Sequence, residues 1–387
     1  RVETAERDEL ISIRHRLHAM PELSGEERET AAFIHAVLVT TQPDEIYTDI
    51  GGHGLVAIYG TDRSGPQVML RSELDALPVS ESEVESGQRA YRSMRENRAH
   101  ACGHDGHMTV ILGVARHLKT HRPETGRVML LFQPAEETGE GAARMIGDSL
   151  ADIIQPDRSY AFHNIPGLST RRLAIREGPF AAASVGMSCA LTGSSSHAAY
   201  PKQGRSPSKA LAMLTEFVEG LSYGDVKESE YGVATVTWLR MGEKAFGTTP
   251  GQGEIGMTLR ATQDEKLEEM KRAVEEHCRE LGNRFDLNVS IRTHEPFRAT
   301  VNSPECVEIV KRAASTSAFD LTELHQPYPW SEDFGCFAEI SDIAQFGIGA
   351  GEEHPHLHSE AYDFPDEIIA PAVELFINIL EEEWKQN

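Results

Sequence analysis

The 387-residue chain lacks the long hydrophobic run that a membrane-spanning helix needs, since no apolar stretch approaches about 18 residues. It is also poor in positive charge, because 37 lysines and arginines stand against 61 aspartates and glutamates, for a formal net charge of −24. This deficit argues against nucleic acid or an anionic membrane as a partner. The five cysteines are an odd number and are widely spread, which argues against a disulfide framework. We therefore expect a reducing, cytoplasmic environment.

Short apolar runs alternate with amphipathic segments in residues 1–182 and again in residues 297–387. GLVAIYG, QVMLRSEL, RVMLLFQP and SYAFHNIPG have the composition of strands, whereas MTVILGVARHLKTH has the three-to-four spacing of a helix. This alternation predicts an α/β domain with a mainly parallel sheet and helices on both faces. Residues 183–296 follow the order strand, helix, two strands, helix, strand, which predicts a smaller inserted α+β domain of ferredoxin-like type.

Polar side chains follow several of the predicted strands of the larger domain. Asp75 comes just after QVMLRSEL, Glu136 and Glu137 follow VMLLF, His163 ends YAFH, and the group His354, His356 and His358 follows IAQFGIGAG. Ligands of parallel sheets bind beyond the carboxyl ends of the strands. We therefore expect these side chains to converge at one edge of the sheet.

The segment HACGHDGH places a thiol and an imidazole two positions apart, at Cys102 and His104. Such a pair can hold one metal ion or reach two, and His100, Asp105 and His107 add donors nearby. An isolated histidine or cysteine is more often a structural residue, but this density of donors favours a metal site. Thiolate and imidazole favour zinc, cobalt or nickel, and carboxylate donors also admit manganese.

The adjacent carboxylates of Glu136 and Glu137 need a positive partner, because unpaired charges beside an apolar strand are costly. A metal ion would supply it: one glutamate can bind the ion while the other accepts a proton from water and passes it to a leaving group. The alternative is a solvated acidic pair at the start of a helix. In the turn SSSHAAYP, His197 is either a hydrogen-bond donor to a developing oxyanion or an ordinary loop histidine.

The motifs stand in the order found in aminoacylase-like di-metal amidohydrolases: IRHRLHAMPELSGEE, LDALP, HACGHDGH, LFQPAEETGEGAARMI, AFHNIPG, SHAAYP, SEDFGCF and HLHSEAYDFPDEII. They run from about residue 14 to residue 370, nearly the whole chain. The sequence resembles the branch that contains auxin–amino acid conjugate hydrolases, hippurate hydrolases and bacterial N-acyl-amino-acid deacylases.

The resemblance implies two divalent metal ions, zinc or manganese, in the larger domain. The positions that match the family's ligands are Cys102, His104, Glu137, His163 and His358. By the same resemblance Glu136 is the general base, Asp75 orients a ligand from behind, and His197 polarises the scissile carbonyl. The inserted domain is then expected to act as a lid and as the contact of a homodimer.

Three features depart from the family pattern. Glu73 stands where the family usually has aspartate, and RENRA replaces a Pro-Gly turn before HACGHD. Relatives carry NVIP in the inserted domain, where this chain has GTTP, so Gly247 replaces an asparagine that helps hold the substrate.

We expect an amidohydrolase that cleaves the amide of small N-acyl amino acids. The GTTP departure favours an alternative on the same di-metal site: a dipeptidase, or a hydrolytic deaminase of an unusual aromatic substrate. A metal-binding protein without turnover is the alternative outside the enzymes.

Overall fold

The computed structural model describes residues 2–82 and 90–385, which form two compact units. The first unit consists of Arg1–Phe180, Thr300–His325 and Asp333–Asn387, and the second of Ala181–Ala299 and Gln326–Glu332. Each unit contains its own apolar core. In the described ranges, no helix combines the length and the apolar character needed to cross a membrane.

The secondary structure alternates between helices and strands along most of the chain. The α-helices are α1 (Thr4–Ala19), α2 (Arg28–Thr40), α3 (His104–Thr120), α4 (Gly141–Met145), α5 (Ala151–Ile153), α6 (Ser208–Glu219), α7 (Asp264–Phe285), α8 (Pro304–Ser315) and α9 (Ile369–Trp384). The strands are β1 (Glu45–Ile50), β2 (Gly54–Tyr59), β3 (Gln67–Glu73), β4 (Arg127–Gln133), β5 (Arg158–Pro166), β6 (Arg172–Ile175), β7 (Gly178–Ala181), β8 (Ala183–Thr192), β9 (Ser196–His197), β10 (Gly232–Met241), β11 (Thr248–Thr249), β12 (Gln252–Ala261), β13 (Asn288–Phe297), β14 (Thr300–Asn302), β15 (Asp320–Glu323) and β16 (Asp342–Gly351).

The first unit is built on an eight-stranded sheet in the order β1-β2-β4-β3-β5-β16-β6-β15. Its central strands β4, β3, β5 and β16 are mutually parallel, while β2 and β6 run antiparallel to their neighbours β4 and β16. Strands β2, β3 and β4 are buried along their whole length, as expected for a sheet covered on both faces. The predicted α/β class with a mainly parallel sheet is confirmed.

The two faces of this sheet carry separate apolar clusters. Along β2, Leu55, Ala57 and Tyr59 join one cluster, which contains side chains of α1, α3, α8 and α9. Val56 and Ile58 point the other way and join the second cluster, with Ala142 and Met145 of α4. This alternation follows from the two-residue period of a strand. It places helices on both faces, as the sequence predicted.

The second unit has a four-stranded antiparallel sheet in the order β10-β12-β8-β13. Helix α6 connects β8 to β10, and α7 connects β12 to β13, which gives the β-α-β-β-α-β order of a ferredoxin-like fold. Helix α7 buries residues at three-to-four spacing against this sheet: Leu267, Met270, Val274, Cys278 and Leu281.

A short segment far along the chain also belongs to the second unit. Residues 326–332 lie outside the predicted inserted domain, but they bond to Ala182, the residue just before its first strand. The backbone N–H of Ala182 donates to the carbonyl of Trp330 at 3.1 Å, and Ser331 Oγ donates to the carbonyl of Ala182 at 2.7 Å. These hydrogen bonds join residues about 150 positions apart, and no local pattern in the sequence indicates them.

Candidate metal centre

The candidate site lies at the carboxyl edge of the parallel strands in the first unit. Asp75 comes two residues after β3 ends at Glu73, and His163 lies near the end of β5. After β4, Ala135 adopts a left-handed backbone conformation with φ of 49°, and this turn leads directly to Glu136. His358 follows β16 and is also left-handed, with φ of 66°. Because these strands are parallel, their ends meet at one edge, as the sequence predicted.

Helix α3 supplies the thiol and one imidazole through a glycine turn. Gly103 is the N-cap residue of α3, with φ of 85°, and it separates Cys102 from His104. A Cβ atom at Gly103 would lie 2.4 Å from Asn164 Nδ2 and 2.5 Å from the Tyr362 hydroxyl oxygen. Backbone conformation and space therefore both require glycine here.

Two groups of three possible metal donors share Cys102. Cys102, His104 and His163 form one, and Cys102, Glu137 and His358 form the other. Within each group, the candidate ligand atoms all lie within 4.8 Å of one another. The structure therefore brings together all five side chains that the sequence singled out as ligands. Their binding of metal remains a proposal.

The distances between the donor atoms are those of groups that face a common centre. Cys102 Sγ lies 3.4 Å from His163 Nε2. The Glu137 carboxylate extends from one group to the other, with Oε1 at 3.7 Å from His104 Nε2 and Oε2 at 3.5 Å from His358 Nε2. His104 Nε2 and Glu137 Oε1 are buried and have no hydrogen-bond partner among the described residues. A divalent cation fits this donor set, because it would satisfy both atoms.

Hydrogen bonds to backbone carbonyls fix the tautomers of two histidines. His104 Nδ1 lies 2.8 Å from the carbonyl oxygen of Asp75, and His163 Nδ1 lies 2.8 Å from that of Asn164. Carbonyl oxygens only accept, so both Nδ1 atoms donate, and in the neutral ring each Nε2 atom carries the lone pair that a metal ion needs. Metal-binding histidines are commonly held in this way.

The electrostatics of the centre favour a cation. Burial disfavours a charge on His104, but the carboxylates of Glu73, Asp75 and Glu137 outweigh it and raise the pKa of His104 to about 10. Burial and the nearby Glu137 and Glu136 raise the pKa of the Cys102 thiol well above its usual value. Burial lowers the pKa of His163 to about 3, which keeps this ring neutral. A divalent cation would offset the negative potential and stabilise the thiolate.

Asp75 is buried behind the donor atoms and contacts two of the predicted ligands. Its Oδ2 atom accepts hydrogen bonds from Ser24 Oγ at 2.7 Å and from the backbone N–H of Glu137 at 2.9 Å. Its Oδ1 atom lies 3.4 Å from His104 Nδ1. This geometry is what the predicted orienting role requires.

The predicted general base lies next to the donor groups. Glu136 Oε2 is 3.6 Å from His104 Nε2, and the residue is only 4% exposed. Its neighbour Glu137 faces His358 as well as His104. The two adjacent carboxylates therefore occupy different positions in one cluster, as the division of roles between a ligand and a base requires.

Two positions of the second unit that the sequence singled out are neighbours. His197 in β9 pairs with Thr248 in β11, and the backbone N–H of Ala198 donates to the carbonyl of Gly247 at 2.9 Å. His197 Nδ1 accepts from the backbone N–H of Ala199 at 3.1 Å, so the ring proton is on Nε2 when the imidazole is neutral. A Cβ atom at Gly247 would meet nothing within 4 Å. The structure therefore leaves space for the usual asparagine.

His107 and Glu73 have supporting roles that the sequence did not indicate. The His107 ring, a candidate donor by sequence, bonds to other partners: its Nδ1 donates to Glu73 Oε2 at 2.9 Å, and its Nε2 accepts from the backbone N–H of Asn164 at 3.2 Å. Glu73 is also bound by Arg71, which is fully buried. The only available signal was the three-residue spacing of His104 and His107, which puts both on one face of α3.

A second buried network holds Asp105, the residue that follows His104. Its Oδ2 atom accepts from Arg14 at 2.9 Å and from His18 Nδ1 at 2.9 Å. Burial opposes a charge on His18, but its bonds to Asp105 and Glu81 raise the pKa of His18 to about 9. Asp105 therefore anchors the start of α3 to α1. His18 is a buried histidine that carries a positive charge and pairs with Asp105.

A cluster of thiol, imidazole and carboxylate groups at the carboxyl edge of a parallel sheet, mostly buried but with His358 exposed, is the kind of site that a metal-dependent hydrolase uses. Residues 69–382 match the profile of Peptidase family M20/M25/M40, and the chain belongs to this family. The predicted family and enzyme class, a hydrolase acting on amide bonds, are confirmed.

Similar proteins of known name agree with this assignment. The chain is 29% identical over 373 residues to hippurate hydrolase of Campylobacter jejuni, and the alignment covers 96% of this chain and 95% of that relative. It is 30% identical over 358 residues to N-acetyldiaminopimelate deacetylase of Limosilactobacillus fermentum, with 91% of each chain covered. A dinuclear metal binding peptidase of the M20 family from Bacillus subtilis has the same fold, with a TM-score of 0.81 and 23% identity over 97% of this chain and 98% of that one.

Proposed function

We propose that this protein is a metal-dependent amidohydrolase that cleaves small N-acyl amino acids into a carboxylic acid and an amino acid. The observation that carries the proposal is the pair of donor groups that share Cys102, with the Glu136 carboxylate beside them. The names of the relatives, a hippurate hydrolase and an N-acetyldiaminopimelate deacetylase, support the class of substrate.

The donor set favours two divalent ions, zinc or manganese, with cobalt and nickel also compatible. The residues that would hold them are Cys102, His104, Glu137, His163 and His358. Bound there, the ions would polarise the amide carbonyl and lower the pKa of water toward about 7. The neutral His163 ring presents a lone pair at Nε2, and His104 would present one there on losing the proton that the nearby carboxylates favour, as metal binding requires.

Glu136 is the proposed proton carrier. Its carboxylate accepts a proton from the attacking water as the new C–O bond forms, and delivers that proton to the amide nitrogen as the C–N bond breaks. Asp75 keeps His104 in the required tautomer and fixes the backbone of Glu137, so both ligands stay in place. His197 is proposed to donate a hydrogen bond from Nε2 to the carbonyl oxygen as negative charge develops there.

We further propose that the protein is a cytoplasmic homodimer that assembles through the second unit. Strand β10 is an edge strand of that unit, and Trp238, Leu239 and Met241 on it are 37%, 50% and 42% exposed. Phe246, in the loop after β10, is fully exposed. An edge strand with apolar side chains is a surface that a second copy can cover.

Metal analysis of the purified protein combined with an amine-release screen tests the proposed function. The panel contains acetyl-, benzoyl- and indolylacetyl-amino acids together with dipeptides and aromatic amines. We expect bound divalent metal and a preference for N-acyl amino acids over dipeptides. Equal or better turnover of dipeptides would favour the dipeptidase, and release of ammonia from aromatic amines would favour the deaminase. Bound metal without turnover of any of these compounds would refute the proposal.

A further inference from the structure

Asn164 uses every one of its polar groups next to the donor cluster. Its carbonyl oxygen accepts from His163 Nδ1 at 2.8 Å, and its backbone N–H donates to His107 Nε2 at 3.2 Å. Its side-chain Nδ2 donates to the carbonyl oxygen of Cys102 at 2.8 Å and lies 3.1 Å from His107 Nε2. Its Oδ1 atom accepts from the Tyr362 hydroxyl at 2.6 Å. One fully buried residue thus contacts two predicted ligands directly.

These bonds set the orientation of the rings on both sides of Asn164. Because the carbonyl of residue 164 can only accept, His163 keeps its proton on Nδ1 and directs the Nε2 lone pair at Cys102 Sγ, 3.4 Å away. Because the N–H groups of Asn164 can only donate, His107 accepts at Nε2 and donates from Nδ1 to Glu73 at 2.9 Å. A rotation of residue 164 would disturb both rings.

The Asn164 amide is itself locked from two directions. Tyr362 is only 1% exposed, and its hydroxyl donates a hydrogen bond to Asn164 Oδ1. This bond determines which end of the amide is the oxygen and which is the nitrogen. On the other side, Gly103 leaves no space, since a Cβ there would lie 2.4 Å from Asn164 Nδ2. The amide therefore fills the gap beneath the Cys102–Gly103–His104 turn and supports its backbone through Cys102.

We propose that Asn164, locked by Tyr362, is a positioning residue of the metal centre, which holds the Cys102 backbone and the His163 ring in the geometry that binds a divalent ion. The inference rests on the proposed metal-dependent function, because it assigns Asn164 a part in forming that function's metal site. Outer partners of metal ligands commonly change metal affinity or activity by about 10- to 100-fold.

The test uses an isosteric change with a matched control. Asn164→Asp keeps the acceptor for Tyr362 and removes the donor to Cys102, while Tyr362→Phe removes one hydroxyl and keeps the ring. Asn302→Asp is the control: Asn302 is 1% exposed, its Nδ2 donates to the carbonyls of Arg176 and Gln345 at 2.9 and 2.8 Å, and its Oδ1 accepts from the backbone N–H of Gln345 at 2.8 Å. None of its partners is a predicted metal ligand.

Two measurements on the full-length proteins separate positioning from stability. Metal-stripped samples are titrated with Co²⁺ against a competing chelator while the visible absorption of the cobalt–thiolate centre is recorded, and their thermal unfolding is measured without metal. We expect Asn164→Asp to weaken Co²⁺ binding about 10- to 100-fold and to alter the spectrum. Tyr362→Phe should weaken it about 3- to 10-fold, the scale of one buried hydrogen bond. Asn302→Asp should lower the unfolding temperature and leave affinity and spectrum within about twofold of wild type.

The inference is overturned if Asn164→Asp binds Co²⁺ with wild-type affinity and spectrum while it loses stability as Asn302→Asp does. This readout needs no substrate. Wild-type protein that binds Co²⁺ but hydrolyses no N-acyl amino acid would refute the proposed function, and the comparison of the variants would still decide the role of Asn164. Wild-type protein that binds no Co²⁺ would overturn both.

Discussion

Replacing Arg71 by methionine should strongly destabilise the first unit, because this guanidinium neutralises a buried carboxylate cluster. Arg71 lies in β3, fully buried, and its Nε donates to Gln133 Oε1 at 2.8 Å. The other nitrogens bind Glu73 and Asp333, the latter at 2.8 Å. Burial raises the pKa of Glu73, but Arg71 and His107 outweigh it and hold that pKa well below its usual value. Methionine keeps much of the volume and removes the charge.

The expected loss at pH 7.5 is about 3–5 kcal/mol in the free energy of unfolding, the range for removing one partner of a buried ion pair. Glu73 has a lowered pKa, so its stabilising contribution is present above about pH 4.5 and is lost as the pH falls through the folded-state pKa. Without Arg71, the folded protein binds a proton more readily at Glu73, and this proton removes the unpaired buried charge. The loss of unfolding free energy caused by Arg71→Met should therefore be smaller at pH 5 than at pH 7.5.

Urea unfolding of chelator-treated protein at both pH values measures this penalty. Arg127→Met is the control, because Arg127 is only 3% exposed and donates from Nε to Gln67 Oε1 at 2.7 Å, with no ion pair to a carboxylate in the described part of the chain. It should cost no more than about 1–2 kcal/mol. The double variant Arg71→Met/Glu73→Gln should recover part of the loss. Equal losses of stability in the two arginine variants, or a loss in Arg71→Met that grows toward pH 5, would show that Arg71 does not neutralise the buried carboxylates.

Three further outcomes follow from particular residues. Gly103→Ala should weaken metal binding at least about 10-fold in a chelator competition, since its Cβ would meet Asn164 and Tyr362 below 3 Å. Unchanged affinity would contradict the described turn. The charged form of His18 stabilises the folded protein below pH 6.5, and this contribution is lost as the pH rises through the folded-state pKa of about 9. Between pH 6.5 and 9 the free energy of unfolding of the wild type should therefore fall by about 3 kcal/mol more than that of His18→Gln. Parallel pH profiles in denaturant titrations would reject this. Gly247→Asn should unfold at the wild-type temperature, since the site is open, and change the ratio of kcat/KM between acyl groups. Lost stability would contradict the open geometry.

The sequence predicted that the candidate metal ligands lie close together, because their positions follow from where the buried strands end and from the parallel arrangement of those strands. Buried parallel strands end in polar residues, and parallel ends share an edge, so Asp75, Glu137 and His163 had to lie near one another. Cys102 and His104 were predictable from their spacing alone, which places both at the start of one helix. The fold class of both units followed from the order of helices and strands.

The supporting network could not be predicted, because its contacts join residues that are far apart in the sequence. Asn164 bonds to Tyr362 across 198 positions, and Arg71 bonds to Asp333 across 262. The sequence around an asparagine in a strand does not show whether the residue is buried with several hydrogen-bond partners or lies on the surface. The inclusion of residues 326–332 in the second unit depends on hydrogen bonds of the same long-range kind.

In the proposed mechanism, Cys102 and its neighbours bind divalent metal while Glu136 moves the proton. The most direct measurement compares the metal content and the kcat of Glu136→Gln with those of the wild type on its best N-acyl amino acid. We predict unchanged metal content, because the five donor residues remain, and a kcat lower by about 10²- to 10⁴-fold. Wild-type kcat in Glu136→Gln would exclude Glu136 as the proton carrier, and wild-type activity in protein that holds no metal would exclude a metal-dependent reaction.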